Sequence, residues 1–263
     1  MNKLILLSAM AASLGLSSAS AGTLFAIDDN SNTLLQVNPA NGAISVVGFT
    51  GVSAGDFGDL TYDASNGQLY WVPGRDNNNL YTINPVTGAA TLVGSHGIGD
   101  MFALAWDPKD NTLYAEASSG AFYSLDSTTG AATYIGSNSV YPGGLVFNSL
   151  TGMMYLLAAG NDNLYSINVA TGAATHVQGG ANTLNDNGAA YDPTTNSYWV
   201  DTWSNQLIHY SADFSSSTTY SYSAPMDGIA YVGATAAPEP GTTMLLGGGL
   251  LAAGLLRFRK RSR

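Results

Sequence analysis

Five aspartates, Asp56, Asp59, Asp100, Asp186 and Asp227, stand just before or at the start of short segments rich in Gly and Ala. Carboxylates at one recurring place support two kinds of chemistry. A positioned pair can act as acid and base or nucleophile in glycoside hydrolysis. A set of carboxylate oxygens can hold a hard cation, and calcium at Asp56, Asp59, Asp100, Asp186 and Asp227 is the one cofactor this pattern allows. Neither chemistry has a motif here. No DxDxDG loop occurs, and the local contexts of the five differ. Glu116 is the only Glu between Gly22 and Ala236. His96, His176 and His209 show no HExxH or paired spacing, so a zinc site is not indicated. The chain has no Cys, which excludes disulfides, thiolate metal sites and Cys nucleophiles. Trp203 and Tyr141 lie in segments of variable length, where an aromatic ring is free to stack on a sugar. The expected ligand-binding set is therefore Asp56, Asp59, Asp100, Tyr141, Asp186, Trp203 and Asp227.

Repeats must position these residues. LYTINPVTGAATLVG at 80–94 recurs as LQVNPANGAISVVG at 35–48, FYSLDSTTGAATYIG at 122–136 and LYSINVATGAATHV at 164–177. The turn glycines Gly42, Gly88, Gly130 and Gly172 are spaced by 46, 42 and 42 residues, a period that implies stacked supersecondary units. A second motif, GDLTYDASNGQLYW at 58–71, alternates with the first. After its turn come Gly67, Asn111, Gly152 and Asn196, the two residue types that best tolerate positive φ. Together the motifs predict four short antiparallel strands per period, which is a β-propeller blade. The aromatic anchors Tyr62, Trp106, Phe147, Tyr191 and Tyr231 predict five blades. Residues 227–233 supply the innermost strand of a blade whose other strands lie at 24–27, 34–38 and 43–47. The expected fold is thus an all-β five-bladed β-propeller over residues 22–233, closed by pairing of its C-terminal strand with its N-terminal strands. The fifth full repeat is degenerate, with Asp213-Phe214-Ser215 in place of the Gly-Ala-Ala-Thr turn.

This order sorts the loops into two faces. Uniform tight turns join strands 1 to 2 and 3 to 4, and their acids, Asp63, Asp107, Asp110, Asp126, Asp192 and Asp213, form or flank turns. The loops from strand 2 to 3 and from blade to blade vary in length and composition. This variable face carries eleven acids and one base, Arg75. Variable loops on a rigid scaffold are where binding usually resides.

Only 10% of the residues are charged, against about 25% in average proteins. Between Gly22 and Ala236, sixteen Asp and Glu116 face only Arg75 and Lys109. Such a surface repels phosphate backbones and excludes nucleic-acid binding. Residues 1–21 read as a signal peptide: Lys3, an apolar run from Leu4 to Leu16, then Ala19-Ser20-Ala21, with cleavage expected between Ala21 and Gly22.

The last segment, 234–263, has a different character. Pro238-Glu239-Pro240 precedes an uncharged stretch at 241–256, and Arg257 to Arg263 is basic. At 16 residues the stretch is short for a membrane helix, for which about 20 is usual. The order Pro-Glu-Pro, apolar helix, basic end resembles the PEP-CTERM sorting tail of exosortase substrates. That resemblance implies recognition by an exosortase-type enzyme at Pro238, Glu239 and Pro240. It implies transient holding in the inner membrane by the tail, then delivery to the surface or extracellular matrix of a Gram-negative, biofilm-forming bacterium. The reading as a whole is a secreted, non-enzymatic binding or structural propeller, with extracellular polysaccharide or a surface protein as partner. The alternative is a secreted glycan hydrolase that uses the carboxylates of the variable face.

Overall fold

A computed structural model describes residues 22–160, 163–179, 186–223 and 225–233, with the side chains of Asp186 and Asn187 left aside. The expected signal segment, the cleavage expected between Ala21 and Gly22, the Pro238-Glu239-Pro240 motif and the apolar stretch at 241–256 lie outside these residues.

The described chain is all-β. Blade 1 holds β1 (Thr23–Asp28), β2 (Thr33–Val37) and β3 (Ile44–Phe49). Blade 2 holds β4 (Asp59–Asp63), β5 (Gln68–Val72), β6 (Asn79–Ile83) and β7 (Ala90–Ser95). Blade 3 runs through β8 (Met101–Asp107), β9 (Thr112–Ala117), β10 (Ala121–Leu125) and β11 (Ala132–Ser137). Blade 4 comprises β12 (Pro142–Asn148), β13 (Met153–Ala158), β14 (Leu164–Ile167) and β15 (Ala174–Gln178). Blade 5 comprises β16 (Asp186–Asp192), β17 (Ser197–Thr202), β18 (Gln206–Tyr210) and β19 (Ser217–Ser221). β20 (Met226–Val232) then pairs with β1, giving blade 1 the order β20-β1-β2-β3. Every blade is a four-stranded antiparallel sheet, and the ring of five closes as the repeat count predicts.

Local chemistry fixes the turns. Asn111 and Asn196 adopt φ of 54° and 50°, and Gly67 and Gly152 share that left-handed conformation. The acids of the uniform face bind their own turns. Asp126 Oδ1 accepts from the amides of Thr128 (2.8 Å) and Thr129 (2.9 Å), Asp107 Oδ1 from Lys109 N (2.8 Å), and Asp192 Oδ1 from Thr194 N (2.8 Å).

The core is divided into five clusters, each between two neighbouring blades. Leu34 packs toward Trp71 and Tyr81 of blade 2, whereas Leu35, its neighbour in β2, packs toward Trp199 and Leu207 of blade 5. Successive side chains of a strand point to opposite faces, so each blade is apolar on both sides and needs a neighbour on each.

The innermost strands approach closely. A Cβ on Gly188 would lie 2.7 Å from Gly228 Cα, and one on Gly228 would lie 2.6 Å from Asp59 Cα. At the uniform-face end the ring opens into a cavity lined by Tyr62, Trp106, Phe147, Tyr191 and Tyr231, one aromatic from each blade.

Candidate functional site

Four blades contribute to an aromatic cluster on the variable face. Phe57 lies between β3 and β4, Arg75 between β5 and β6, Phe102 at the start of β8, Tyr141 just before β12 and Trp203 just after β17. The Phe57 ring stacks on Phe102 with centroids 4.7 Å apart and meets Trp203 at 4.4 Å. Phe102 meets Tyr141 edge-on at 5.9 Å. Such pairs favour association beyond the area they bury. Arg75 Cζ sits 4.5 Å from the Phe57 centroid and 5.6 Å from that of Phe102. Its guanidinium also pairs with Asp56 at 3.6 Å, an exposed contact that contributes at most about 1 kcal/mol.

Phe57 holds φ at 66°, a conformation that bulky residues rarely adopt. Its loop is fastened to the next one: Gly55 N donates to Pro73 O at 2.8 Å, and Arg75 N donates to Asp56 O at 3.0 Å. The two loops come this close because Gly55 has no side chain; a Cβ there would lie 2.0 Å from Arg75 O. Phe102 is buried, while Trp203 and Tyr141 are 43% and 41% exposed. The cluster is therefore a stack with a buried middle and two rings open to solvent. It joins Trp203 and Tyr141, expected from sequence, through Phe57 and Phe102, which sequence did not single out.

The five aspartates take different places. Asp59 is fully buried, and its carboxylate accepts from Leu60 N and Leu104 N, both at 2.8 Å, tying blade 2 to blade 3. Asp227 Oδ2 accepts from Gly58 N at 2.5 Å, tying blade 1 to blade 2. Asp56 is the exposed partner of Arg75. Asp100 is half-buried at φ 57°, and its carbonyl accepts from Ser118 N at 2.9 Å. Asp186 opens β16, opposite Thr202. Among the described residues, no group of three or more His, Cys, Asp or Glu side chains is arranged to hold a metal ion.

Three other acids stand out by environment. Glu116 and Asp201 are fully buried, and neither oxygen of either carboxyl has a hydrogen-bond partner. Burial pushes the Glu116 carboxyl up to about 8; the Asn138 side chain nearby offsets this only partly. Burial raises Asp201 well above the usual carboxylate range, and the nearby Asp29 carboxyl acts in the same direction. Asp29 is half-buried and is raised to about 7, mainly by burial, although contact with the Asp227 carboxyl acts the other way. Asp59 and Asp227 are also raised by burial. A signal for two of these was available. In the repeat register Glu116 and Asp201 occupy the position of Val72, Leu157 and Ile27, all buried apolar residues.

The remaining polar candidates are structural. His96 is buried and held neutral, its value lowered to about 4 by burial. His209 stacks on Trp199 at 4.0 Å and contacts Ser197 Oγ at 2.7 Å. Gly51-Val52-Ser53-Ala54-Gly55 spells the G-x-S-x-G of a nucleophile elbow, but no helix follows it. The hydroxyl of Ser53 reaches only Ala54 O, at 3.4 Å.

Comparison with known proteins adds the following. Residues 236–261 match the PEP-CTERM protein-sorting motif, and residues 5–105 match a domain of unknown function, DUF4394. The chain thus carries at its C-terminus a motif that implies processing by an exosortase, export and cell-surface sorting. A search of curated proteins finds no match. Among solved structures, the chain is similar to one from the crystal structure of a nidogen/laminin complex, at 11% identity and a TM-score of 0.58, covering 81% of this chain and 82% of that one. It is also similar to a structural-genomics protein of unknown function from Bacteroides thetaiotaomicron, at 14% identity and a TM-score of 0.56, covering 84% of this chain and 60% of that one. At these identities the likeness carries the fold alone.

Proposed function

We propose that this protein is exported through its N-terminal signal, with cleavage between Ala21 and Gly22, and is held at the surface or in the extracellular matrix of a Gram-negative bacterium. There its variable face binds extracellular polysaccharide without catalysis. The tail reading rests on Pro238-Glu239-Pro240 with the apolar stretch and basic end behind it. The binding reading rests on one observation: Trp203 and Tyr141 are solvent-open rings at the ends of a stack fixed by four blades. Rings held in place lose little entropy on meeting a sugar face, which is what a binding platform requires. The surrounding acids repel unbridged polyanions and leave neutral glycans as the favoured class.

The test is retention of the exported protein on matrix polysaccharide from its host. Trp203→Ala and Tyr141→Ala should each weaken retention about tenfold, since stacking of this kind contributes roughly 1–1.5 kcal/mol. Lys109→Ala and Asp126→Asn, on the opposite face, should leave it unchanged. Retention lost in the second pair and kept in the first would overturn the reading.

The hydrolase alternative has one observation in its favour. Asp29 and Asp227 are neighbouring carboxyls both raised by burial, Asp29 to about 7, the direction a general acid requires. Against it, Asp227 is only 2% exposed and already holds Gly58 N. Release of reducing ends from the polysaccharide, lost in Asp29→Asn, would favour hydrolysis over binding.

A further inference from the structure

We propose that β19 is a docking edge for a second copy of this chain, with the two β19 strands pairing antiparallel across a two-fold axis at Thr219. This inference is independent of the glycan reading, since no residue of the aromatic cluster lies in β19.

The outermost strands of the five blades, β3, β7, β11, β15 and β19, each leave one edge without a partner strand. In the first four, a bulge shifts the register against the neighbouring strand, as between Phe122 and Tyr123 in blade 3. Such a bulge turns an edge away from pairing with another chain. β19 has none. Its register runs unbroken from Gln206 opposite Ser221 to Tyr210 opposite Ser217. The strand carries no Pro, Gly or charge, and all of it except Tyr220 is exposed. Its backbone is also set for pairing. Ser211 N donates to Ser216 O at 2.9 Å, and Tyr222 N donates to Asn205 O at 3.1 Å. Bonded pairs alternate along an antiparallel ladder, so Thr218 and Tyr220 aim their backbone groups at β18. Ser217, Thr219 and Ser221 aim theirs outward.

The occupant that fits this edge is the same strand. With Thr219 opposite Thr219 of the second copy, Ser217 faces Ser221 and Thr218 faces Tyr220, and no pair carries a charge. The outward groups of Ser217, Thr219 and Ser221 then meet in register, and each such pair exchanges two hydrogen bonds, about six in all. Thr opposite Thr is itself a favourable cross-strand pair. Charge selects the same place. Seventeen acids against two bases between Gly22 and Ala236 make two copies repel over most of their surface. From Phe214 to Pro225 no residue is charged, and the two copies of Asp213 fall at opposite ends of the paired strands. A two-fold contact closes on itself, so it yields a dimer and leaves blade 5 no free outer edge. Five residues of strand edge make a small interface, of the transient class.

The test is sedimentation equilibrium of the exported protein, followed by cross-linking. The mass should rise from monomer to dimer with a Kd between about 10 μM and 1 mM, as suits an interface of this size. Thr219→Pro removes the central outward amide, which β18 does not use, and Thr219→Lys sets two like charges face to face at the axis. Each should weaken the dimer at least about tenfold while the melt stays unchanged. The chain has no Cys, so Thr219→Cys places a single thiol at the axis, where a paired Cα spacing of about 5.5 Å suits a disulfide. Leu92, exposed at the equivalent position of the bulged strand β7, is the control. Under mild oxidant Thr219→Cys should cross-link at least about tenfold faster than Leu92→Cys. A monomer throughout that concentration range would overturn the proposal and leave the edge to a strand of another protein. A dimer unchanged in both Thr219→Pro and Thr219→Lys would overturn it too, as would equal cross-linking of the two Cys variants. Polysaccharide enters none of these measurements, so failure of the glycan reading would leave the results standing.

Discussion

Glu116 shows how much a single residue in the wrong register reveals. Its carboxyl is raised to about 8 from an ordinary 4.5, so at neutral pH it is protonated in the folded state and ionised in the unfolded one. A raised carboxyl favours folding fully below pH 4.5, and the contribution is lost as pH climbs through 8. In chelator, denaturant titrations of Glu116→Gln and wild type should therefore coincide near pH 4.5. They should diverge with rising pH, the variant becoming more stable by a few kcal/mol at pH 8. Equal slopes against pH would show that Glu116 does not hold its proton in the fold. The two odd acids were legible from sequence once the blades were in register, because Val72, Leu157 and Ile27 define the column that they break. The aromatic cluster was not legible. Phe57 and Phe102 are 45 residues apart, one in the loop before β4 and the other at the start of β8, and the curvature of the ring brings them face to face. Asp59 and Asp227 lie within the inner strands β4 and β20, and sequence does not say that each accepts from an amide of the next blade.

Three of the blades also carry a contact that their own sequence conceals. The glycine closing the fourth strand, as in Tyr134-Ile135-Gly136, reads as the end of a strand. In the structure it is where one blade touches the next. A Cβ on Gly136 would lie 1.9 Å from Thr171 O, and Gly94 and Gly48 stand in the same relation to Thr129 O and Thr87 O. The same stretch contains a bulge: Phe122 pairs with Gly136 and Tyr123 with Tyr134, leaving Ile135 to turn inward. Turn glycines 88 and 130 complete the contact from the facing blade. Gly136→Ala should therefore cost about 1–3 kcal/mol, as overpacking does, read as a lower denaturant midpoint with unchanged slope. Gly152→Asn is the control. That site is open on all sides, and Asn already occupies it in two other blades, so the midpoint should barely move. In blade 5 the turn has lost its glycine, and Phe214 takes positive φ at 54° while stacking on Tyr198 at 4.7 Å. The degenerate repeat is thus held by a ring instead of by backbone contact.

Closure of the whole ring was the most legible feature, because the first and last repeats are complementary fragments of one blade. β20 pairs with β1 along its length, from Thr23 opposite Val232 to Asp28 opposite Met226. Removing 226–232 would strip blade 1 of its inner strand and open the cluster that holds Leu24, Leu35, Trp199 and Ile229. The truncated protein should lose its single cooperative melt and self-associate through the bared edge of β1, as seen by calorimetry and size-exclusion chromatography. A monomer with an unchanged melt would contradict the role assigned to β20. The same pairing places both ends of the described domain at one face of the ring. β1 starts and β20 ends at the uniform face, so the chain enters and leaves the ring side by side, opposite the aromatic cluster. The face that carries the open rings of Trp203 and Tyr141 is thereby left clear of both chain ends of the described domain, at Gly22 and Gly233.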